Sequence, residues 1–156
     1  MKPFAGKSDC SGAIAALEAS TSLKDKNILI LGAGGTAKAI GYGIKEKGGK
    51  LTITYNRNKE KGANLAKELG CELIHCRDAG TQSIDILINC SPVGMNPNIN
   101  DSPFLARHFK EGMVVFDSVY NPLETKLLRE AKAAGCKVIP GSELFINQAA
   151  RQFELF

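Results

Sequence analysis

One segment limits the possible folds of this chain more than any other. Residues 28–39 read Ile-Leu-Ile-Leu-Gly-Ala-Gly-Gly-Thr-Ala-Lys-Ala, an apolar run that passes through glycines into a helix-forming stretch. Gly32 is expected to make the tight turn, Gly34 to let phosphates approach the backbone, and Ala37 to let the helix pack closely on the strand. Unpaired amides at the helix N-terminus would then attract a dinucleotide pyrophosphate. The glycines alone do not identify the ligand, because any tight strand-to-helix turn can use them.

The length and composition are those of a single soluble domain. The 156 residues are 44% hydrophobic, 23% charged and 6% aromatic, which is typical of an α/β protein. No apolar run approaches the roughly 20 residues that cross a bilayer, and the polar N-terminus shows no secretory signal. We therefore predict a cytoplasmic protein with no membrane partner. The net charge of +4 is mild and scattered, which favours a small anionic ligand and no nucleic acid.

The cysteines give no sign of a disulfide framework or a metal site. Their number is odd, and they show neither a Cys-x-x-Cys pair nor a Cys/His spacing that suits a metal. Several lie in apolar runs, where cysteine behaves as a small buried hydrophobe. The sequence therefore predicts that all five cysteines are reduced thiols and that none of them binds a metal: Cys10, Cys71, Cys76, Cys90 and Cys136.

Strand-length apolar runs alternate with amphipathic stretches of helix length. We predict strands at residues 27–31, 51–55, 72–75, 84–89, 113–117 and 136–140, and helices at residues 12–20, 36–47, 59–69, 123–134 and 143–156. This alternation favours a Rossmann-type doubly wound parallel six-stranded sheet in three layers, with strand order 3-2-1-4-5-6. Ligands of such a single α/β domain bind at the carboxyl ends of the strands.

The loop after the second strand discriminates between dinucleotides. NAD enzymes place a carboxylate there for the ribose hydroxyls, but this chain has Asn56, Arg57 and Asn58. A guanidinium can bind a 2′-phosphate through two hydrogen bonds and stack on adenine, so Arg57 favours NADP over NAD. Lys59 and Lys61 are equally compatible with a phosphate contact and with ordinary surface positions.

With these motifs in place, the chain resembles the shikimate dehydrogenase family from about Asp9 to Phe156. The family's glycine loop is similar to residues 32–39, and its Asn-Arg-Thr clamp is similar to residues 56–58. Three further signatures are similar to the following segments: Asp-Ile-Leu-Ile-Asn-Cys-Ser-Pro-Val-Gly-Met at 85–95, Asp-Ser-Val-Tyr-Asn-Pro at 117–122, and Gly-Ser-Glu-Leu-Phe-Ile-Asn-Gln at 141–148.

The resemblance implies NADP-dependent interconversion of 3-dehydroshikimate and shikimate, a step of aromatic amino-acid and chorismate biosynthesis. Asp9 stands where the family has the Asp of its catalytic Lys/Asp pair, and Tyr120 and Gln148 stand where it contacts substrate. Cofactor contacts are expected from the loops at the carboxyl ends of the strands: Gly32, Ala33, Gly34, Gly35, Thr36, Asn56, Arg57, Asn58, Lys59, Lys61, Ser91, Ser118 and Gly141. His75 and His108 match no motif, and we expect structural or exposed positions for them.

The chain also departs from the family pattern. Lys7 and Ser8 replace the Asn and Thr that precede the catalytic Asp, which puts substrate contacts there in doubt. No Ser-x-Thr-x-Pro-x-Lys segment, which carries the family's catalytic Lys in an N-terminal substrate domain, stands before Asp9. We therefore expect a cofactor domain at 11–140, a remnant of the inter-domain segment at 1–10 and a C-terminal helix at 141–156 that would return toward a substrate domain.

Such a domain is expected to bind NADP and to lack turnover without its substrate domain. Two alternatives stay open at this stage. The domain could serve a reductase for quinate or another related carbonyl, or it could be a non-catalytic NADP-binding sensor or interaction module. Apolar surface near Asp9 and the last helix would allow self-association.

Overall fold

The computed structural model describes the backbone of residues 3–143 and the side chains of residues 11–143. Residues 144–156 of the predicted C-terminal helix, which include Gln148, and the side chain of Asp9 lie outside the described residues. Within the described part, strands and helices alternate as follows: α1 Pro3–Glu18, β1 Asn27–Leu31, α2 Gly35–Glu46, β2 Lys50–Tyr55, α3 Lys59–Leu69, β3 Glu72–His75, β4 Ile86–Asn89, β5 Val114–Asp117, α4 Lys126–Ala133 and β6 Lys137–Ile139. Two short 3-10 helices span Cys76–Thr81 and Ala106–His108.

The six strands form one parallel sheet. Their order is β3-β2-β1-β4-β5-β6, and every neighbouring pair is parallel. This confirms the predicted Rossmann-type α/β fold and its strand order. Parallel strands place all their carboxyl ends at one edge of the sheet, so this edge, which we call the carboxyl edge, is where the predicted ligand contacts meet.

Each face of the sheet carries its own apolar core. One core contains Ile28, Ile30 and Ile53 of the sheet with buried residues of α1, α2 and α3. The other contains Leu29 and Leu31 with buried residues of α4 and Ala79 of the first 3-10 helix. Alternate residues of β1 therefore face opposite cores, as expected for a strand that is covered on both sides.

Two predicted helix starts differ from the structure by three residues or more. Helix α1 begins at Pro3, not at residue 12, although Gly6, Ser8 and Ser11 are poor helix formers. Its buried residues Ala13, Ile14, Ala16 and Leu17 join the first core, and the helix extends N-terminally from this packed half because adding a residue to a formed helix costs less than nucleating one. Helix α4 begins at Lys126, not at residue 123, because the Thr125 hydroxyl oxygen accepts a hydrogen bond from the Leu128 amide at 3.2 Å and caps the helix there.

Candidate functional site

The carboxyl edge gathers nearly all of the residues that the sequence analysis selected. Residues 32–36 connect β1 to α2, and residues 56–61 connect β2 to the first turn of α3. Ser91 follows β4, Ser118 and Tyr120 follow β5, and Gly141 follows β6. Five loops from five different strands thus meet at one edge of the sheet. Asp9 belongs to α1 by its backbone, and its side chain is outside the described part.

The glycine turn has the backbone geometry of a phosphate cradle. Gly32 has a φ of +121°, a conformation that favours glycine, and a Cβ there would lie 3.3 Å from the Cys90 carbonyl carbon and the Ser91 nitrogen. Gly34 caps α2 without a side-chain hydrogen bond, and the first turn of α2 holds no acidic residue. A Cβ on Gly34 or Gly35 would face open space. The exposed positive end of the α2 dipole and the clear approach fit a pyrophosphate.

Replacing Gly34 with alanine is expected to block this approach without unfolding the protein. The φ of Gly34 is −92°, and its Cβ would meet no atom within 4 Å, so we expect the free energy of unfolding to change by less than about 1 kcal/mol. The added methyl group would occupy space at the cradle, and the dissociation constant for NADPH should rise about tenfold or more. Urea unfolding and NADPH fluorescence measure the two effects.

The Gly32→Ala variant provides the contrast. Alanine at position 32 would have to adopt the φ of +121°, and its Cβ would lie close to Cys90 and Ser91. We therefore expect lost stability as well as weaker binding of NADPH. If the Gly34→Ala variant bound NADPH as tightly as the wild type, the assignment of the pyrophosphate site to this glycine turn would be wrong.

The loop after β2 presents an unpaired cation. Arg57 is exposed and makes no hydrogen bond or ion pair with any residue in the described part of the chain. Asn58 has a structural task, because its Oδ1 accepts a hydrogen bond from the Lys61 amide at 2.9 Å and caps α3. Asn56 Oδ1 accepts a long hydrogen bond of 3.6 Å from the Cys76 thiol. Arg57 is therefore free to meet an anion, and its role in cofactor binding stays a prediction.

A buried polar network that the sequence analysis missed ties the loops after β4 and β5 to the start of α4. Asp117 Oδ1 accepts hydrogen bonds from the Val119 amide at 2.9 Å and from Asn89 Nδ2 at 3.1 Å, and Oδ2 accepts one from the Thr125 hydroxyl at 2.7 Å. Asn89 Oδ1 in turn accepts hydrogen bonds from the Ser91 amide and hydroxyl at 3.0 Å and 2.6 Å. Asn89, Asp117 and Thr125 have no exposed surface. The network fixes the loops after β4 and β5 relative to α4.

The protonation of Asp117 makes the stability of this network depend on pH. Burial raises the pKa of Asp117, although its hydrogen bonds from Thr125, Val119 and Asn89 oppose the shift. The folded state therefore binds this proton more tightly than the unfolded state does. As the pH rises from the usual value of 3.8 through the raised pKa, the wild type should lose stability relative to an Asp117→Asn variant, which cannot titrate.

Urea unfolding of both proteins across this pH range measures the difference in their free energies of unfolding. A difference that moves in favour of the wild type as the pH rises would contradict the direction of the pKa shift.

The loops after β5 and β6 touch each other through their backbones. A Cβ on Gly141 would lie 2.7 to 2.9 Å from the carbonyl oxygens of Val119, Asp117 and Ser118, so only glycine fits there. The Ser118 amide donates to the Asn89 carbonyl at 2.9 Å, and Tyr120 is 52% exposed beside these loops. Gly141 thus has a packing role at this position, while contacts of Ser91, Ser118, Gly141 and Tyr120 with ligands stay predictions.

Three cysteines and both histidines of the described part pack against the surrounding structure. Burial raises the pKa of the Cys71, Cys90 and Cys136 thiols, which keeps them protonated and weakly nucleophilic. His75 Nδ1 accepts a hydrogen bond from the Arg77 amide at 3.0 Å, and the His108 ring packs edge-on against Phe104.

The described residues contain no group of three or more His, Cys, Asp or Glu side chains that could hold a metal ion. Among the helices described, none is both long enough and apolar enough to cross a membrane.

Comparisons with known proteins agree with this geometry. The model of the shikimate / quinate 5-dehydrogenase family matches residues 14–117. The NADP(+) shikimate dehydrogenase of Methanocella arvoryzae is 40% identical over 156 residues, which cover 95% of this chain and 57% of the relative. The chain spans about half the length of the curated relatives it matches.

Solved structures give the same pattern. The crystal structure of shikimate 5-dehydrogenase from Thermus thermophilus in complex with NADP(H) and shikimate is 34% identical, with a TM-score of 0.84 over 96% of this chain and 56% of that one. Quinate dehydrogenase from Corynebacterium glutamicum in complex with NAD is 26% identical, with a TM-score of 0.83 over 96% of this chain and 56% of that one.

Proposed function

The chain belongs to the shikimate / quinate 5-dehydrogenase family, and from that membership we propose that these residues form the NADP-binding domain of a shikimate dehydrogenase. The observation that carries the proposal is the pairing of two features on adjacent strands. The open glycine turn at the N-terminus of α2 accommodates a pyrophosphate. Arg57 after β2, which has no partner among the described residues, accommodates the 2′-phosphate that distinguishes NADP from NAD.

The proposed reaction interconverts 3-dehydroshikimate and shikimate in the pathway to chorismate and the aromatic amino acids. When bound, NADPH supplies the hydride for the ring carbonyl carbon. The residues of this chain bind the cofactor at the carboxyl edge and orient it toward the substrate. Tyr120, exposed at that edge, and Gln148 would contact the substrate, and Asp9 would act with a lysine as the proton-transfer pair.

We propose further that the 156 residues on their own bind NADPH without measurable turnover. Relatives that act on shikimate are nearly twice as long as the matched region. Residues 11–140 would then be the cofactor unit, with residues 1–10 and 141–156 leading to and from a substrate domain.

A second candidate is a domain of a quinate dehydrogenase or of a reductase for a related carbonyl. The likeness to the quinate dehydrogenase of Corynebacterium glutamicum supports it. Curated relatives that are 36% to 42% identical are named shikimate dehydrogenase (NADP(+)), whereas this quinate dehydrogenase is 26% identical, so shikimate dehydrogenase is the stronger candidate. A third candidate is a non-catalytic NADP-binding sensor or an interaction module that self-associates through its apolar surface.

Joining the chain to the unmatched part of the Methanocella arvoryzae relative tests the three candidates. NADPH formation by the fusion is measured with shikimate and with quinate, and the unfused chain is the control. The proposal expects turnover of shikimate by the fusion alone. A fusion that oxidises quinate in preference would favour the second candidate. If a folded fusion bound NADPH and reacted with neither substrate, the sensor reading would replace the enzyme.

A further inference from the structure

A buried hydroxyl beside the glycine turn is not explained by the cofactor contacts. Thr54 lies near the end of β2 and is 1% exposed. Its Oγ1 accepts a hydrogen bond of 3.0 Å from the Gly32 amide, across 22 residues of sequence. We propose that Thr54 is a positioning residue that holds the glycine turn in its phosphate-binding conformation before the cofactor arrives. This inference rests on the proposed NADP-binding function.

The buried hydroxyl of Thr54 needs a structural explanation. A buried hydroxyl costs free energy unless it is hydrogen-bonded, and valine has the same shape and suits a buried strand equally well. The hydrogen bond to Gly32 offsets that cost. It also satisfies the only donor of Gly32, so that amide is directed at Thr54 and away from the ligand.

The strand register brings the hydroxyl to the turn. In the parallel pairing of β1 with β2, Ile30 is the partner of Ile53. The next step along both strands places Leu31 beside Thr54, and Gly32 follows at once. Because side chains alternate between the faces of a strand, a shift of one residue would turn Thr54 away from Gly32.

Gly32 is held from the other side as well. The space that its Cβ would fill is bounded by the Cys90 carbonyl carbon and the Ser91 nitrogen, both at 3.3 Å. The turn therefore lies between the loop after β4 and the hydroxyl from β2. With its first residue fixed in this way, the turn can offer the following amides to the pyrophosphate with little loss of conformational freedom on binding.

The test compares two ligands that use different parts of the site. NADPH needs the glycine turn, whereas adenosine 2′-monophosphate carries the 2′-phosphate and lacks the pyrophosphate. We expect the Thr54→Val variant to bind NADPH about tenfold more weakly and to bind adenosine 2′-monophosphate within about twofold of the wild type. Thr54→Ser, which keeps the hydroxyl, should restore NADPH affinity to within about threefold.

The Thr52→Val variant is the matched control. Thr52 lies two residues earlier on the same strand and the same face, and its side chain makes no hydrogen bond with the described residues. Its replacement should leave both affinities unchanged. Calorimetric titration of the four proteins with both ligands gives the dissociation constants.

The outcomes separate this inference from the proposed function. If the wild type failed to bind NADPH, the proposed function would fall. If the wild type bound it and Thr54→Val bound it equally well, or lost both ligands equally, the positioning role would be wrong. If the Thr54→Val variant does not fold, amide hydrogen exchange of the wild type tests the inference instead. The Gly32 amide should exchange slowly before NADPH is added. Rapid exchange of this amide would overturn the inference.

Discussion

The Arg57→Ala variant is expected to bind NADPH about 30- to 100-fold more weakly than the wild type and to bind NADH within about twofold of it. Arg57 is exposed and has no partner among the described residues, so its loss should cost little stability. The 2′-phosphate, however, would lose a charge-assisted contact made through two hydrogen bonds. Fluorescence titration of both nucleotides with both proteins measures the four dissociation constants.

Two further variants make this result specific. Arg57→Lys keeps the positive charge but cannot bind the 2′-phosphate through two parallel hydrogen bonds, so this variant should retain only part of the NADPH affinity. Arg129→Ala removes an exposed arginine from α4, which packs on the other face of the sheet from α3. This variant should change neither the NADPH nor the NADH affinity. An equal loss of NADPH and NADH binding by Arg57→Ala would refute the assignment of the 2′-phosphate to this residue.

The Asp117→Ala variant is expected to lose about 3 to 4 kcal/mol of unfolding free energy. Three donors direct hydrogen bonds to this carboxylate: the Val119 amide, Asn89 Nδ2 and the Thr125 hydroxyl. All would be left buried without that acceptor. Thr125 also caps α4, so the damage should extend to the start of that helix. Urea unfolding monitored by circular dichroism measures the loss.

The Asp117→Asn variant is the isosteric control. Its carboxamide oxygen still accepts from Val119 and Asn89, and its amide group can donate to the Thr125 oxygen. Its loss should therefore stay below about 1.5 kcal/mol at neutral pH. If Asp117→Ala were as stable as the wild type, the network would not hold the loops of the carboxyl edge.

The fold was predictable because its signals are local. The four-residue apolar run of β1, the glycine turn and the amphipathic periods of α2 and α3 each stand within a short window of sequence. Parallel topology then followed from the alternation of strands with helices. The start of α1 was missed because its early residues are poor helix formers, whereas the helix extends N-terminally from the packed residues 13–17.

The candidate site was predictable only in part. Residues in the loops after strands were found from their place and type, such as Gly34 and Arg57. The Asn89–Asp117–Thr125 network and the contact of Thr54 with Gly32 join residues that are far apart in sequence, and no local pattern indicates them. One sequence signal could have indicated these contacts: a polar side chain near the end of a strand, at a position where the hydrophobic periodicity predicts burial. Buried polar groups need hydrogen-bond partners.

Titration of the 156-residue wild-type chain with NADPH and with NADH, followed by nucleotide fluorescence, tests the cofactor assignment most directly. The open glycine turn and the exposed Arg57 predict saturable binding of NADPH, with NADH at least about tenfold weaker. A folded protein that showed no saturable NADPH binding, or bound the two nucleotides equally, would contradict that assignment.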